Sequence, residues 1–176
     1  MFMYIVAFVV VICVNKCASI YAKARAESLL EKPYVALPDI IHSISPRINC
    51  HIPDYVLLTL LVYCVVYGKF NGVDLNLVNA LLDSLFLRPI FVVGTTLPTC
   101  MSKPNKKETY YTKLFLSTHD LMFSGHTCIF MFFGKIIGGN IGIVVQYMMP
   151  VLLVMARQHY TIDILVSMIV YNYFCV

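Results

Sequence analysis

The chain has 176 residues, 60% of them hydrophobic and 12% charged, and a formal net charge of +4. About a quarter of the residues are charged in soluble domains, so this composition excludes a water-soluble globular protein, as does the mean hydropathy of +0.79. Nucleic-acid binding needs a contiguous basic face, and the nearest candidate, KPNKK at 103–107, is more typical of a loop beside a membrane segment. We therefore predict an all-α, polytopic membrane protein with no nucleic-acid partner.

Six segments are candidates for membrane-spanning helices, each of which needs about 20 mostly apolar residues. In chain order they cover about 2–20, 54–67, 75–97, 121–138, 141–157 and 160–176. The first has no basic residues before its apolar core, which favours a retained helix over a signal peptide. Pro150 is expected to kink the fifth. The sequence therefore predicts a single domain of six transmembrane helices, several of them near the minimum length.

The seven cysteines include no CxxC pair and show no zinc-site spacing. Neither a metal nor a cofactor is therefore expected. Cys50 and Cys100 lie in or beside the two longer loops and could form a disulfide if that side of the membrane is oxidising. Free thiols are the alternative.

Histidines and carboxylates gather on one side of the predicted bundle. His126 and His159 are 33 residues apart, and the two helices between them bring the chain back to the same membrane face. Asp163 follows His159 by four residues, a spacing that puts both on one helical face. A carboxylate in that position can hold an imidazole in one tautomer. Taken singly, each of these residues could instead serve as a helix cap or an interface residue.

Arg88 lies within the apolar run LDSLFLRPIFVVG, where a charge needs a partner. An anionic phosphate is one candidate, and extension of the side chain towards lipid headgroups is the other. Two histidines, one backed by a carboxylate, suit phosphoryl transfer with a covalent step. A metal site would want further ligands at close spacing, which the sequence does not offer.

Four sequence blocks resemble those of the sphingomyelin synthase family, which belongs to the lipid phosphate phosphatase superfamily. DLMFSGHT at 120–127 and HYTID at 159–163 resemble its last two blocks. ALPD at 36–39 and RPIFVVGTTLP at 88–98 resemble two earlier ones, with Ala36 in place of a proline. The blocks occur in the family's order, and the resemblance implies the superfamily's helical bundle.

The resemblance also implies a phosphotransferase with a two-step reaction and a phosphohistidine intermediate. His159, assisted by Asp163, would attack the phosphorus of phosphatidylcholine or phosphatidylethanolamine. His126 would protonate the departing diacylglycerol, and ceramide would then take the headgroup from His159. These membrane lipids are the expected partners, and the fold is compatible with a homo-oligomer.

Substrate-binding roles carried over from the family fall on Arg88, Asp120, Ser124 and Gly125. Arg88 would hold the phosphate and Asp120 the choline. The phosphatase branch fits less well, because Leu81 and Leu153 stand where that branch has basic residues. Their absence favours a phosphodiester substrate, which carries less charge than a monoester.

Two departures from the family pattern concern substrate choice. The spacing between the two histidines is shorter than is usual, and Arg157 occupies a place where the family has a different residue. They put the headgroup and the acceptor in question more than the chemistry.

The resemblance implies a multi-pass membrane protein of the Golgi, the endoplasmic reticulum or the plasma membrane, with a lumenal or exoplasmic site. Charge counting points the other way. On the side opposite the histidines the predicted loops hold only Lys69 and Lys135, so the positive-inside tendency favours cytosolic histidines.

Two further interpretations of the same residues stay open. One is a lipid phosphatase that releases phosphate to water, and the other is a non-catalytic protein that binds lipid or a membrane partner.

Overall fold

A computed structural model describes residues 2–31, 35–100 and 121–175, without the side chain of Phe2. All regular structure in these ranges is helical, which confirms the prediction of an all-α chain. The helices are α1 (Phe2–Leu29), α2 (Ile40–Ile44), α3 (Ile52–Val66), α4 (Leu75–Gly94), α5 (Gly125–Ile137), α6 (Gly139–Tyr147), α7 (Val151–Met155) and α8 (Thr161–Phe174).

Local side-chain chemistry sets several helix ends. The side-chain oxygens of Asp39, Asp74 and Ser124 accept backbone N–H groups at the starts of α2, α4 and α5. These donors would otherwise lack a partner within the helix. Between α5 and α6 the chain turns at Gly138 and Gly139, whose φ angles of 70° and 58° suit glycine.

The first helix is longer than predicted. It continues beyond position 20 to Leu29, because the polar stretch KARAES at 23–28 consists mainly of strong helix formers. As a result Lys23 and Arg25 lie inside the helix and not in the loop predicted to follow position 20.

A turn alters the bounds of two other predicted helices. The predicted helix 141–157 is divided into α6 and α7 by a turn at 148–150, which ends at Pro150. The predicted helix 121–138 begins only at Gly125, because Met122 has a φ of 73° and the chain turns there. Positive φ is incompatible with a right-handed helix.

Two described helices are long and apolar enough to cross a membrane, Met3–Leu29 and Leu75–Gly94, with mean hydropathies of 2.1 and 1.6. The remaining apolar helices, Ile52–Val66, Gly125–Ile137, Gly139–Met155 and Thr161–Phe174, have 10–17 residues. Many large apolar side chains face outwards, for example Leu58, Val62 and Val66 on α3, which are 57%, 54% and 70% exposed. Such a surface is unusual for a protein solvated by water.

The helices pack so that several polar ends meet. Helices α1 and α4 run parallel: Asn15 Nδ2 donates to the Leu85 carbonyl at 2.8 Å, and Arg25 Nη1 donates to the Val93 carbonyl at 2.7 Å. The main core joins α1, α4, α5 and α8 around buried residues such as Tyr171. Contacts described below bring the starts of α3, α5 and α8 to the end of the bundle where α4 finishes.

Candidate active site

Asp163 is fully buried and accepts three hydrogen bonds. They come from His159 Nδ1 at 3.1 Å, from the Tyr160 backbone N–H at 3.1 Å and from the Met122 backbone N–H at 3.0 Å. A carboxylate only accepts, so in the neutral imidazole Nδ1 carries the proton. The Nε2 atom of His159 then has a lone pair available for a nucleophilic role.

The predicted contact between His159 and Asp163 is present, but its cause differs from the predicted one. His159 lies in the turn before α8 and not on the helix. Asp163 is the third residue of α8, and its carboxylate folds back to the backbone N–H of Tyr160 as in a capping box. The cap therefore aims the carboxylate at the histidine.

His126 is the second residue of α5 and pairs with a carboxylate that the sequence analysis missed. Its Nε2 lies 3.1 Å from Oδ1 of Asp54, in the first turn of α3, and the two side chains are 25% and 31% exposed. The residues are 72 positions apart, so no periodic pattern links them. The available signal was an acidic residue at the start of an apolar helix on the histidine side.

Arg88 is 8% exposed and held by two elements. Its Nε donates to the Phe123 carbonyl at 3.2 Å, and its Nη1 donates to Asn15 Oδ1 at 2.8 Å. These bonds anchor the guanidinium beside the turn that precedes His126. Asn15 was not singled out from the sequence, because it lies 73 residues from Arg88.

One cavity joins these groups. It has a volume of about 870 Å³, and Arg88, Gly125, His126 and His159 all line it. We call it the site cavity. Most of its remaining wall is apolar and comes from α1, α4 and α5. Ligand sites typically measure about 300–1,000 Å³ and combine apolar walls with a few polar groups.

The other predicted site residues are placed differently. Ser124 is fully buried, and its hydroxyl caps α5 by accepting the Thr127 N–H at 3.2 Å. Its backbone N–H donates to Ser167 Oγ at 2.6 Å, so Ser124 positions the start of α5. Asp120, predicted to bind choline, lies outside the described residues.

Three of the four sequence blocks are joined by hydrogen bonds around Tyr160. The Tyr160 hydroxyl donates to the Pro98 carbonyl at 2.8 Å and accepts the Leu37 N–H at 2.9 Å. Asp39 accepts both the backbone N–H and the hydroxyl of Thr161, each at 2.8 Å. These contacts brace the turn that carries His159.

Partial burial raises the pKa of Asp39, but the hydrogen bonds from Thr161 and from the His42 backbone outweigh burial. The net effect is a pKa below the ordinary 3.8. The carboxylate is therefore the stable form around neutral pH.

Arg157 lies behind the histidine turn. It has a φ of 58°, and its Nη2 donates to the carbonyls of His42 and Ser45. The Nε2 atom of His42 in turn lies 3.1 Å from the His159 carbonyl oxygen. Arg157 thus joins the histidine turn to the segment around α2.

The suggested disulfide between Cys50 and Cys100 is not formed, and both residues are free thiols. Burial, together with the nearby negative charge of Asp163, raises the pKa of the Cys100 thiol far above its usual range. A protonated, buried thiol of this kind is unreactive. Among the described residues, no group of three or more His, Cys, Asp or Glu side chains is arranged to hold a metal ion.

No model of a known protein family matches this chain, and no curated protein gives a significant sequence match.

Proposed function

We propose that this protein is a sphingomyelin-synthase-like phosphotransferase that moves a phospholipid headgroup from a glycerophospholipid to ceramide. The observation that supports this most is the site cavity, which is lined by His126, His159 and Arg88. His159 is backed by Asp163 and His126 by Asp54. One cavity therefore offers a nucleophile, a proton donor and a cation.

In the first step, Nε2 of His159 attacks the phosphorus of the donor lipid. The bond from phosphorus to the glycerol oxygen breaks, and His126 gives its proton to that oxygen, so that diacylglycerol leaves. In the second step, His126 takes the proton of the primary hydroxyl of ceramide. The resulting oxygen attacks phosphorus and the N–P bond to His159 breaks, which restores the free enzyme.

The substrates reside in a bilayer, and the proposal includes a six-span arrangement. The spans would be α1, α3, α4, α5, α6 with α7, and α8. The apolar outer surface of α3 and the two longer helices support this. Helices of 10–17 residues would suit a thin or locally thinned membrane. The proposed location is the Golgi, the endoplasmic reticulum or the plasma membrane.

A transfer assay tests the reaction. The purified protein in detergent is given fluorescent ceramide with either phosphatidylcholine or phosphatidylethanolamine, and the products are separated by chromatography. Headgroup transfer to ceramide is expected, and the preferred donor identifies the headgroup. His159→Ala should show no product, whereas His51→Ala should be active, because the His51 ring contacts Tyr55 and does not line the site cavity.

Lipid phosphatase activity is the second candidate function. His126 is a quarter exposed, so water could take the acceptor's place. Release of phosphate or phosphocholine without transfer to ceramide would favour this candidate. If the folded wild-type protein shows neither transfer nor release, a non-catalytic lipid-binding role is favoured and the proposal is contradicted.

A further inference from the structure

One face of α1 contributes polar groups to the site cavity. Asn15, Lys16 and Ser19 line it together with apolar residues of the same face, Phe8 and Ile12. Their spacing of three or four residues is that of one helical stripe. Lys16 is the one charged residue in the apolar stretch 2–22. A charge within such a helix is costly, and it typically faces a functional cavity.

Hydrogen bonds place Asn15, within this stripe, near the turn that leads into His126. Asn15 Oδ1 accepts from Arg88 Nη1 at 2.8 Å, and Arg88 Nε donates to the Phe123 carbonyl at 3.2 Å. Phe123 begins the short connection that leads into His126. Lys16 is the neighbour of Asn15 and lines the same cavity as Arg88, His126 and His159.

The negative charge that develops on the phosphoryl group during the reaction suggests a role for Lys16. A phosphodiester carries one negative charge, and the attack of a neutral imidazole moves further negative charge onto the phosphoryl oxygens. A group that meets this added charge stabilises the transition state more than the bound substrate, and so raises kcat. Arg88 alone matches the charge of the ground state.

We propose that Lys16 is a second phosphate-binding cation of the site cavity, contacting the phosphoryl oxygens of the transferred headgroup together with Arg88. This inference rests on the proposed function for its reaction. It gives α1 a direct part in the site. None of the four sequence blocks lies in that helix.

The test uses orthovanadate, which adopts the five-coordinate geometry of phosphoryl-transfer transition states. Vanadate affinity is measured from its effect on thermal unfolding of the purified 176-residue chain in detergent. We compare the wild type with Lys16→Met, and with Lys23→Met as a matched control, because Lys23 is an exposed lysine on the same helix. Lys16→Arg keeps the charge.

Lys16→Met should weaken vanadate binding about 10-fold or more, in keeping with the loss of a charge-assisted contact in a preorganised site. Lys16→Arg and Lys23→Met should bind within about threefold of the wild type. In the transfer assay, Lys16→Met should lower kcat about 10-fold or more with little change in KM.

Equal vanadate affinity in Lys16→Met and the wild type would overturn the inference, and so would the absence of any vanadate effect on the wild type. The binding measurement does not depend on transfer. If vanadate binding depends on Lys16 but no headgroup is transferred to ceramide, the phosphate site is supported and only the proposed function is contradicted.

Discussion

Asp163 contacts both motifs of the site, because its carboxylate accepts His159 Nδ1 through one oxygen and the Met122 backbone N–H through the other, at 3.1 and 3.0 Å. The first contact orients the imidazole proposed as the nucleophile. The second holds the turn before α5, and therefore the position of His126. A single buried carboxylate thus fixes the relative placement of the two histidines.

Asp163→Asn should lower kcat for headgroup transfer by about 10²–10⁴-fold. An amide has only one accepting oxygen, and its NH2 group would face a donor and disturb the tautomer of His159. Steady-state kinetics of the purified variant measure this loss. Asp74→Asn is the matched control, because Asp74 is an exposed carboxylate that caps α4. A kcat of Asp163→Asn equal to that of the wild type would contradict the role given to the pair.

His126→Ala should slow transfer from phosphatidylcholine by at least about 10²-fold, since the diacylglycerol oxygen would depart without a proton. A donor with an acidic leaving group, such as p-nitrophenyl phosphocholine, does not need that proton, so the burst of nitrophenol in the first turnover should be largely retained. Later turnovers still need His126 as the base for ceramide. His159→Ala should cleave neither donor. An equal loss with both donors in the first turnover of His126→Ala would argue against a proton-donor role.

Asp54→Asn should reduce kcat about 10-fold, because the Asp54 carboxylate orients the imidazole of His126 at 3.1 Å. Since Asp54 is proposed to act through His126, its effect should disappear in the His126→Ala background. A double-mutant cycle of kcat values measures this coupling. Additive effects of the two substitutions would show that Asp54 acts independently of the histidine.

Gly134→Ala should destabilise the pair formed by α5 and α6. A Cβ at Gly134 would lie 2.3 Å from Cγ of Gln146 and 2.6 Å from the Gly142 carbonyl oxygen, so backbone must move. The expected cost is about 1–3 kcal/mol, measured by unfolding in detergent. Gly94→Ala is the control, because a Cβ there meets no atom within 4 Å. The same loss in both variants would mean that the close approach is unimportant.

The contact between Asp39 and Thr161 should weaken in acid. The pKa of Asp39 is lowered on folding, so its contribution to stability is fully present above 3.8 and is lost as pH falls through the folded value. Thermal unfolding of the wild type and Asp39→Asn, followed from pH 6 to pH 3, measures the difference. The wild type should be the more stable near pH 6, and the gap should narrow in acid. A gap that widens there would contradict the direction of the shift.

Several features were predictable because they depend on local composition and chain direction. The apolar content implied helices, and the two helices between His126 and His159 implied that both residues return to one end of the bundle. That Arg88 has hydrogen-bond partners was predictable, because a charge within an apolar run needs them. The predicted end of α1 was wrong. The polar stretch after position 20 was interpreted as the end of the helix, although the residues at 23–28 favour helix.

What the sequence by itself determined is the all-α class, the candidate histidines and the carboxylate four residues after one of them, since these depend on composition and short spacing. Only the tertiary structure decided that Asp54 contacts His126, that Asn15 holds Arg88 and that Lys16 lines the same cavity. Such contacts join residues that are about 70 positions apart or that lie on different helices. They arise from how helix faces pack, and packing leaves no periodic trace in the chain.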